Sequence, residues 1–446
     1  MIGRVNQLKG KLVKDQLLQR IREKTAVVGI VGLGYVGLPL AVEFAQAGLK
    51  VLGVDVDARK VEAIRQGHSY IQDVPTALIA DLVQRGRLTA ATEYAELRRA
   101  DAVSICVPTP LRKTRDPDMS YVVTAAEKIA EVCHPGLLIV LESTTYPGTT
   151  EEIFVPRLKE RGLHIGQDVF LAFSPERIDP ANPKYGVRNT PKVVGGETPA
   201  CTEVAVALYQ CAVDTVVPVS SPRAAEMVKL LENTFRAVNI GLVNEMALMC
   251  DKLGVNVWEV IEAAATKPYG FMKFTPGPGI GGHCIPIDPL YLSWKLKSLN
   301  YTARFIELAD SINSQMPHYV VTQIADALNE EGKALRGAQV LVLGAAYKRD
   351  IDDVRESPAL DVMIELQKRH ARVSYSDPHV PSLRLNETAL TSQPLTLETL
   401  RAADCAVIIT DHSAFDWTVI GEHARLIVDT RNALKGRAAR ARVVTL

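Results

Sequence analysis

The sequence predicts an α/β protein in which two Rossmann-like parallel-sheet domains are joined by a long central helix and a helical domain. Short apolar segments alternate with helix-like segments in the first 218 residues and again after residue 337, a rhythm typical of parallel sheets covered on both faces. A glycine-rich turn follows the first apolar segment. Between the two regions, Ser221-Pro222 offers an N-cap and a first-turn proline, and no strong helix breaker follows before Gly254.

The strands expected from this rhythm are short and apolar. They cover residues 26–31, 51–56, 102–107, 137–142, 170–173, 339–343, 372–375, 405–410 and 425–428. Helices are expected over residues 11–24, 38–47, 221–253 and 359–369. The central helix is apolar on more than one side, which indicates burial on several faces, for example against a second subunit.

The length of 446 residues is too great for one ordinary domain. We expect an N-terminal Rossmann domain with a leading helix over residues 1–218, a central helical domain over 219–325 and a C-terminal α/β domain over 326–446. The 51 basic residues balance 51 acidic ones, so no net field attracts nucleic acid or an anionic membrane. We therefore expect neither as a partner.

The seven cysteines are scattered and odd in number, and no CxxC pair or Cys/His cluster has the spacing of a metal site. This indicates reduced thiols in the cytoplasm and predicts no bound metal. Residues 1–24 lack the apolar core of a signal peptide. Residues 26–42 are apolar but contain four glycines and a proline, whereas a membrane span needs about 20 unbroken apolar residues.

The turn Gly32-Leu33-Gly34-Tyr35-Val36-Gly37 lies between a predicted strand and a predicted helix. Glycines there allow a tight turn, close approach of the backbone to a pyrophosphate, and packing of the helix against the strand. Asp55 stands near the end of the second predicted strand, where a carboxylate accepts ribose hydroxyls and repels a 2′-phosphate. These features predict NAD rather than NADP as cofactor, a preference that Arg59 weakens slightly.

The most unusual stretch of the chain is Pro276-Gly277-Pro278-Gly279-Ile280-Gly281-Gly282-His283-Cys284. Its glycines allow the backbone to press against a ligand and to adopt positive φ. A cysteine at the end of such a loop suits a nucleophile, and if the chain were helical from Ile285 onward, the helix dipole would lower the pKa of the thiol. Asp288 would then share a face of the first turn with Cys284. A buried, inert cysteine is the alternative interpretation.

Two polar residues of the central helix, Lys229 and Asn233, stand four positions apart and therefore share a face. Arg236 and Asn244 continue roughly the same stripe. The stripe is either a solvated polar face or a set of groups around a reacting carbon, with Lys229 stabilising an oxyanion and Asn233 positioning water. Periodicity does not choose between these interpretations.

Eight motifs in order give the chain a resemblance to the UDP-glucose/GDP-mannose dehydrogenase family, from Val28 to about Asn432. They are the turn at residues 32–37, Val107-Pro108-Thr109-Pro110, Glu142-Ser143-Thr144, Ser174-Pro175-Glu176, Lys229 with Asn233, Gly281-Gly282-His283-Cys284 with Asp288, Lys348 with Arg355-Glu356-Ser357-Pro358, and Asp429-Thr430-Arg431. Alone, such motifs are weak signals; Arg355-Glu356, for example, would be interpreted as an ordinary surface ion pair. The resemblance implies an N-terminal NAD domain, a helical dimerisation core and a C-terminal nucleotide-sugar domain, in a homodimer or a higher homo-oligomer.

The resemblance also implies roles for single residues. Those implied for catalysis are Cys284 as nucleophile, Lys229, Asn233 and Asp288 around the reacting C6 carbon, Glu176 for water or oxyanion chemistry, and Thr144 between the cofactor and that water. Those implied to contact the cofactor are Gly32, Gly34, Tyr35, Val36, Gly37, Asp55, Pro108, Thr109, Thr144 and Arg355. Those implied to bind the UDP-sugar are Glu176, Arg177, Lys229, Asn233, Gly281, His283, Lys348 and Arg431.

The reaction implied by the resemblance is an NAD-dependent four-electron oxidation of the C6 hydroxymethyl group to a uronate, through a thiohemiacetal and a thioester on Cys284. Residues 281–289 and 428–432 resemble the branch of the family that oxidises UDP-N-acetylhexosamines, and residues 110–113, which include Lys113, and 142–148 resemble its members that act on UDP-N-acetylglucosamine (UDP-GlcNAc). A glutamate often found four positions after Glu176 is replaced by Pro180. UDP-GlcNAc is favoured; the N-acetylmannosamine (UDP-ManNAc), N-acetylgalactosamine (UDP-GalNAc) and glucose analogues stay open, with His283 and Arg112 as candidate selectors.

Two other functions are compatible with parts of the sequence. A two-electron hydroxy-acid dehydrogenase would use the glycine turn and Lys229 but would leave Cys284 and the second α/β domain without a role. A non-catalytic nucleotide-sugar sensor would normally lack a catalytic position, and none is missing here.

Overall fold

A computed structural model of the chain describes residues 2–71, 73–112, 116–179, 182, 184–386 and 388–446, with side chains described from Gly10 onward. Within these segments, no helix is both long and apolar enough to cross a membrane. None of the seven cysteines, all of which lie in described segments, forms a disulfide.

The chain up to residue 219 alternates helices with strands. In order these are α1 (Ile2–Arg22), β1 (Val27–Val31), α2 (Gly37–Gln46), β2 (Lys50–Val54), α3 (Ala58–Arg65), α4 (Thr76–Gln84), β3 (Leu88–Ala91), a 3₁₀ turn (Tyr94–Arg99), β4 (Ala102–Ile105), α5 (Ser120–Val132), β5 (Leu138–Leu141), α6 (Thr149–Glu160), β6 (Phe170–Phe173), β7 (Lys192–Gly196), α7 (Pro199–Tyr209) and β8 (Val216–Val219).

From residue 222 the chain is first helical and then returns to alternation. The elements are α8 (Pro222–Leu253), α9 (Val257–Ala264), α10 (Asp288–Lys297), α11 (Arg304–Glu330), β9 (Gln339–Leu343), α12 (Pro358–Lys368), β10 (Arg372–Ser376), β11 (Ser382–Leu385), β12 (Thr388–Thr391), α13 (Leu397–Ala402), β13 (Cys405–Ile408), α14 (Trp417–His423), β14 (Leu426–Asp429) and β15 (Arg442–Thr445).

Two compact units make up the chain. The first comprises Met1–Glu232 with Lys297–Leu299, and the second comprises Asn233–Leu296 with Asn300–Leu446. The central helix α8 contributes residues to both units, and the helical segments that follow it group with the C-terminal sheet. The division into three domains at residues 218 and 325 stays a prediction.

The sheet of the first unit has the strand order β3-β2-β1-β4-β5-β6-β7-β8. Its strands pair in parallel except for the antiparallel pair β6 and β7. Every residue of β4, β5 and β6 is buried, as expected for a parallel sheet covered on both faces. The strand order reverses between β1 and β4, the point at which such sheets bind ligands at the carboxyl ends of their strands.

A second parallel sheet lies in the second unit, with the strand order β10-β9-β13-β14-β15. Its order reverses between β9 and β13. The hairpin β11–β12 forms a separate antiparallel pair. Two Rossmann-like sheets and a long central helix confirm the predicted fold class.

Most predicted elements are confirmed with ends shifted by one or two residues. The bounds of β6 and β9 match the prediction, and α8 begins at Pro222 and ends at Leu253, where the proline and Gly254 predicted its ends. The leading helix is longer than predicted, Ile2–Arg22 instead of residues 11–24.

The turns that follow β1 and β9 are built alike. Gly32 and Gly344 begin them, with φ of +88° and +83°. A Cβ atom on Gly32 would lie 2.5 Å from the carbonyl oxygen of Cys106, and one on Gly344 would lie 2.4 Å from that of Thr410. Both positions therefore require glycine, for the same positive φ and the same close approach to the neighbouring strand connection.

A carboxylate after the second strand of each sheet holds this turn. Asp55 follows β2, and its Oδ2 accepts the N–H of Leu33 at 2.8 Å. Asp377 follows β10, and its Oδ2 accepts the N–H groups of Ala345 at 2.6 Å and Ala346 at 3.1 Å. The second unit thus repeats the construction of the first at the equivalent edge of its sheet.

Asp377 accepts further hydrogen bonds. The N–H groups of His379 and Val380 donate to Oδ1 at 2.8 and 3.0 Å, and Nε2 of His412 lies 3.0 Å from Oδ2. Burial raises the pKa of Asp377, but the hydrogen bonds from His412 and the backbone lower it by more. The net pKa is about 2, below the ordinary value of 3.8.

We predict that Asp377→Asn removes an acid-sensitive part of the stability of the second unit. The folded-state pKa of Asp377 lies below its unfolded value, so its contribution, about 2 kcal/mol, is present above pH 4 and is lost as pH falls towards pH 2. All three tryptophans (Trp258, Trp294 and Trp417) lie in this unit, so urea unfolding followed by their fluorescence measures it.

The gap in unfolding free energy between wild type and Asp377→Asn should be widest at pH 5 and should shrink by about 2 kcal/mol towards pH 2.5. Asp326→Asn, at an exposed carboxylate of the same unit, is the control and should show no such dependence. A gap that stays constant with pH would contradict the prediction.

Candidate active site

The glycine turn of the first unit lies at the reversal point of its sheet. It follows β1, while Pro108 and Thr109 follow the neighbouring strand β4. Thr109 is buried, and Pro108 and Tyr35 are exposed. The fold therefore brings residues 32–37, Asp55, Pro108 and Thr109 to one edge, where open α/β sheets bind dinucleotides.

Gly34 is the glycine of the turn that leaves room for a ligand. A Cβ atom there would meet nothing within 4 Å, whereas one on Gly37 would lie 1.8 Å from the carbonyl oxygen of Gly32. Val36, at the N-cap of α2, offers no side-chain acceptor to the first N–H groups of that helix. Open space beside a helix N-terminus is the environment that a pyrophosphate requires, so the residues present fit a dinucleotide.

The carboxylates of Asp55 and Asp57 favour a ribose without a 2′-phosphate and are opposed by the neighbouring cations Lys60 and Arg59. Nζ of Lys60 lies 3.2 Å from Oδ2 of Asp55, and Oδ1 accepts the N–H of Asp57. Arg59 is held by Asp57 through two side-chain hydrogen bonds of 3.0 and 2.8 Å, and these bonds keep the pKa of Asp57 at about 2. Because Asp57 neutralises Arg59, the arginine weakens the preference for NAD less than its charge alone would suggest.

A buried ionic network lies beyond the carboxyl ends of β5 and β6. Nζ of Lys192 donates to Glu142 at 2.6 Å and to Glu176 at 3.0 Å, and all three side chains are buried. The hydroxyl of Tyr209 donates to the other oxygen of Glu142 at 2.5 Å. Removing the lysine would leave two buried carboxylates without their cation, which costs about 3–5 kcal/mol in comparable sites.

The pKa values in this network diverge. Burial raises the pKa of Glu142 more than Lys192 lowers it. Burial also raises the pKa of Glu176, but the charge and hydrogen bond of Lys192 and the N–H of Ile178 outweigh it, so the net shift is downward. Glu176 is therefore held as an anion.

Sequence reasoning missed Lys192 and Tyr209. The signal for Lys192 was a lysine that opens an otherwise apolar strand, since a buried lysine requires an anionic partner. Nothing in the spacing of Tyr209 pointed to Glu142, from which it is separated by 67 residues.

Glu176 also anchors Lys229 of α8. Nζ of Lys229 donates to the backbone carbonyl of Glu176 at 2.5 Å, and this lysine is buried. Arg177 pairs with Glu232 at 2.6 Å. Thr144 is half-buried in the loop after β5. The first unit thus brings together Glu176, Arg177 and Lys229 of the predicted substrate set.

The predicted nucleophile, Cys284, is exposed, so the alternative of a buried cysteine is wrong. The condition for a helix dipole acting on the thiol, a chain that is helical from Ile285 onward, is not met: a turn leads into α10, which begins at Asp288. Ile285 precedes Pro286, and the residue before a proline is disfavoured in helical conformation. The N–H of Asp288 donates to the carbonyl of Cys284 at 2.8 Å, and Nδ2 of Asn233 donates to the Asp288 carboxylate at 2.5 Å.

The glycine loop before Cys284 packs closely against other parts of the second unit. Gly282 has φ of +89°, and a Cβ there would lie 2.8 Å from the ring of Tyr347. Its N–H donates to the carbonyl of Arg355 at 3.1 Å. At the start of the loop, Gly277 lies under the guanidinium of Arg431. The second unit therefore brings the Cys284 loop together with Arg355, Arg431 and the β9 turn that carries Lys348.

His283 and Arg355 are near neighbours electrostatically. Burial lowers the pKa of His283, and the positive charge of Arg355 lowers it further, so the imidazole is neutral at pH 7. Arg355 pairs with Asp353 at 2.7 Å.

The polar stripe of α8 is mostly buried, which excludes a solvated face for Lys229, Asn233 and Asn244. Arg236 is exposed and does not belong with them. Asn244 accepts the N–H of Gly277 at 2.9 Å and donates to Asn313 at 2.8 Å, so it holds the start of the glycine loop. That role was not predicted.

A cleft rich in arginine lies at the carboxyl ends of β13 and β14. It is lined by Arg349, Asp411, Ser413, Phe415, Asp416, Trp417, Arg431, Asn432, Ala433, Lys435 and Arg437. Nε of Arg431 donates to the carbonyl of Ile409 at 2.8 Å. Burial lowers the pKa of Arg431 to about 10, which leaves it cationic at neutral pH and suited to an anionic ligand.

The other residues that the sequence singled out lie elsewhere. Arg112 is exposed in the first unit, with Asp118 at 3.6 Å. Lys113 and Pro180 lie outside the described residues.

Three domain families match the chain, and all three belong to one enzyme family. The NAD binding domain of the UDP-glucose/GDP-mannose dehydrogenase family matches residues 26–213, its central domain matches 223–315 and its UDP binding domain matches 341–436. The chain belongs to the UDP-glucose/GDP-mannose dehydrogenase family. Its members are NAD-dependent nucleotide-sugar dehydrogenases, which confirms the predicted cofactor and the resemblance.

Relatives cover nearly the whole chain. UDP-N-acetyl-D-mannosamine dehydrogenase of Salmonella typhi is 36% identical over 91% of this chain and 98% of its own length, and UDP-N-acetyl-D-glucosamine 6-dehydrogenase of Pseudomonas aeruginosa is 35% identical over 88% and 92%. The UDP-D-ManNAc dehydrogenase structure from Pyrococcus horikoshii superposes with a TM-score of 0.85 at 34% identity, covering 94% of this chain and 98% of that one.

We predict that Gly34→Val leaves this family member folded but blocks NAD. The added side chain meets no protein atom within 4 Å at its Cβ and would occupy the space that the pyrophosphate needs. NAD affinity, measured by calorimetry, should fall at least about tenfold, while the thermal unfolding midpoint stays within about 2 °C of wild type.

Gly186→Val is the matched control, because a Cβ there also meets nothing within 4 Å and the residue lies in the same unit. It should leave both quantities unchanged. Undiminished NAD affinity in Gly34→Val would show that the dinucleotide does not approach this turn.

Proposed function

We propose that the chain oxidises the C6 hydroxymethyl group of a UDP-N-acetylhexosamine to a carboxylate, in a four-electron reaction that passes through Cys284. One observation carries the proposal: the exposed thiol of Cys284 follows a glycine loop that lies against Arg355, Tyr347 and Arg431, in the unit that contains the UDP-binding domain of the family. A two-electron hydroxy-acid dehydrogenase needs neither that thiol nor that domain.

NAD⁺, when bound at the glycine turn, supplies the hydride acceptor for both oxidations. Cys284 contributes covalent capture: its thiolate adds to the C6 aldehyde and forms a thiohemiacetal, which is oxidised to a thioester. Water then cleaves the C–S bond, which releases the carboxylate and regenerates the thiol. The balance is one alcohol, two NAD⁺ and one water giving one carboxylate, two NADH and three protons. Splitting the oxidation around a covalent intermediate keeps the reactive aldehyde from escaping.

Buried polar groups support oxyanion stabilisation. We propose that Lys229 and Asn233 stabilise the oxygen on C6 and that Asp288, held by Asn233 at 2.5 Å, orients that amide. Groups positioned in advance need no reorganisation in the transition state, and one such donor contributes about 3–4 kcal/mol in other enzymes.

Glu176 suits an electrostatic role better than that of a general base. Its carboxylate already accepts the N–H groups of Arg177 and Ile178 and the Nζ of Lys192, and its pKa is lowered. A base of low pKa removes protons from water poorly at neutral pH. We therefore propose that Glu176 orders Lys229 and the hydrolytic water. Thr144, in the loop after β5, would lie between that water and the cofactor.

Recognition of the UDP group is assigned to the basic residues of the second unit. We propose that Arg431 and Lys348 bind the diphosphate. Arginine can donate two parallel hydrogen bonds to a phosphate and lysine offers a single positive charge, and both stand at the carboxyl edge of a parallel sheet, where such ligands bind. His283, as a neutral imidazole, would contact the sugar by hydrogen bonds rather than by charge.

Two sugars are candidates. The motifs at residues 110–113 and 142–148 favour UDP-GlcNAc, and a relative that carries this specificity in its name is 35% identical. UDP-ManNAc is the second candidate, because relatives named for it are 36–38% identical. Both have an acetamido group at C2 and differ only in its configuration.

Self-association is the expected state of the protein. Exposed apolar side chains on α8 include Leu231, Phe235, Leu242 and Leu253, with exposures of 45–75%. Such a concentration on one helix supports a subunit interface. We propose a homodimer or a larger homo-oligomer, and sedimentation velocity of the full chain measures its mass.

The identity of the sugar is tested by NADH release with UDP-GlcNAc, UDP-ManNAc, UDP-GalNAc and UDP-glucose at matched concentrations. We expect the highest kcat/KM with UDP-GlcNAc, and two NADH per sugar consumed. A preference for UDP-ManNAc would select the second candidate, and a single NADH per substrate would contradict the covalent scheme.

We predict that Cys284→Ser abolishes uronate formation, because a serine hydroxyl at neutral pH is a far weaker nucleophile than a thiolate. The product is measured by mass spectrometry after single-turnover and steady-state incubations. Cys211→Ser, at a cysteine of the first unit that the scheme does not use, is the control and should retain wild-type activity. Steady-state formation of uronate by Cys284→Ser at the wild-type rate would contradict the proposal.

A further inference from the structure

Three side chains capable of binding a metal meet beside the turn that follows β9, and none of them belongs to the candidate active site. Nε2 of His379 lies 3.7 Å and Nδ1 of His412 lies 3.8 Å from Oδ1 of Asp350. One ligand atom from each of the three lies within 4.8 Å of the others. Asp350 closes the turn that carries Lys348.

The hydrogen bonds of His412 leave no lone pair for a cation. The backbone N–H of Asp350 donates to Nδ1 at 2.9 Å, so Nδ1 is an acceptor. In the neutral ring the proton is then on Nε2, which lies 3.0 Å from Oδ2 of Asp377 and donates to it. The side chain of His412 is fully buried. Both ring nitrogens therefore act within the protein.

The β9 turn, residues 344–350, is held by hydrogen bonds at both of its ends, at one end by Asp377 and at the other by His412. Asp377 accepts the N–H groups of Ala345 and Ala346 at the start of the turn. His412, bound to the same carboxylate, accepts the N–H of Asp350 at its end. Lys348 stands between the two attachments.

Asp350 reinforces the second attachment. Its carboxylate accepts the N–H of Ser413 at 2.7 Å and the hydroxyl of Ser413 at 2.6 Å. Its φ of +61° is a conformation that a residue other than glycine holds only when its surroundings impose it. The bond to His412 is one of the contacts that impose it.

We propose that His412 is a positioning residue: through Asp350 it fixes the β9 turn so that Lys348 is ready to receive the diphosphate of the substrate. This inference rests on the proposed function, since it takes Lys348 to be a substrate residue. It predicts that the bond from Asp350 to Nδ1 matters for the affinity of the nucleotide and not for the chemistry at Cys284.

Two substitutions separate the two bonds of the ring. His412→Asn keeps a polar atom close to the position of Nδ1 and can still accept the N–H of Asp350. His412→Phe keeps the ring and loses both bonds. We expect His412→Phe to raise the KM for the UDP-sugar at least about tenfold, with kcat within about twofold and KM for NAD unchanged, and His412→Asn to recover most of the loss.

A histidine of the same unit outside this network provides the control. His318 is exposed and pairs with Glu365 at 2.7 Å, so His318→Phe should leave all three constants unchanged. Tryptophan fluorescence of each variant checks that the second unit is folded. If His412→Phe fails to fold, the UDP affinity of His412→Asn is compared with that of wild type. An affinity of His412→Asn within about threefold of wild type supports the proposal, and a tenfold loss overturns it.

Calorimetry with UDP separates this inference from the proposed function. Wild type that binds UDP but oxidises no UDP-sugar would refute the function while leaving the role of His412 testable by UDP affinity alone. Equal losses in kcat and in KM for NAD would make His412 a general structural residue and overturn the proposal. Stoichiometric binding of Zn²⁺ by wild type that disappears in His412→Asn would also overturn it, in favour of a metal site.

Discussion

In both sheets, backbone N–H groups of the turn after the first strand donate to a carboxylate that follows the neighbouring strand. The remaining features of each site depend on these hydrogen bonds, because they fix the conformation of the turn at the carboxyl end of the first strand. In the first unit Asp55 accepts three donors, the N–H groups of Leu33 and Asp57 and the Nζ of Lys60, which leaves acceptor capacity on Oδ1. In the second unit Asp377 accepts bonds on both oxygens from four N–H groups and from His412, so its carboxylate serves the protein itself.

This difference suits the two similar folds to two different ligand groups, a ribose and a diphosphate. A ribose needs an acceptor with spare capacity, which Asp55 retains. A diphosphate needs cations, and the second unit supplies Arg349, Arg431, Lys435 and Arg437 around one cleft. The same strand-turn construction thus supports opposite electrostatic environments in the two units.

The parts of the site that the sequence predicted are local in the chain. The glycine turn, Asp55, the Cys284 loop and the limits of α8 follow from consecutive residues or from helical spacing, and the structure contains the turn, the loop and the helix close to where they were expected. Periodicity gave the face shared by Lys229, Asn233 and Asn244 but not their burial, because burial depends on what packs against the helix. It also misassigned Arg236, which is exposed.

Groups that meet only through the tertiary fold were out of reach. Lys192 lies 50 residues from Glu142, and His412 lies 35 from Asp377, so no local pattern joins them. Sequence reasoning left open whether the chain is helical from Ile285, and a local signal could have decided it: Pro286 disfavours helical conformation at Ile285. Long-range polar pairs require the strand order, which single-sequence reasoning did not supply.

Cys284 is the exposed thiol among seven cysteines, all of which the structure describes, and each of the others is at least half-buried. Reagents that attack thiols, such as peroxides and alkylating agents, reach side chains according to their exposure and thiolate character. The reaction proposed above, which passes through this one accessible sulfur, is thus open to inactivation at that atom, while the buried thiols are shielded. Under that proposal, the working life of the enzyme depends on the reducing capacity of its surroundings and on how often substrate occupies the site beside the loop.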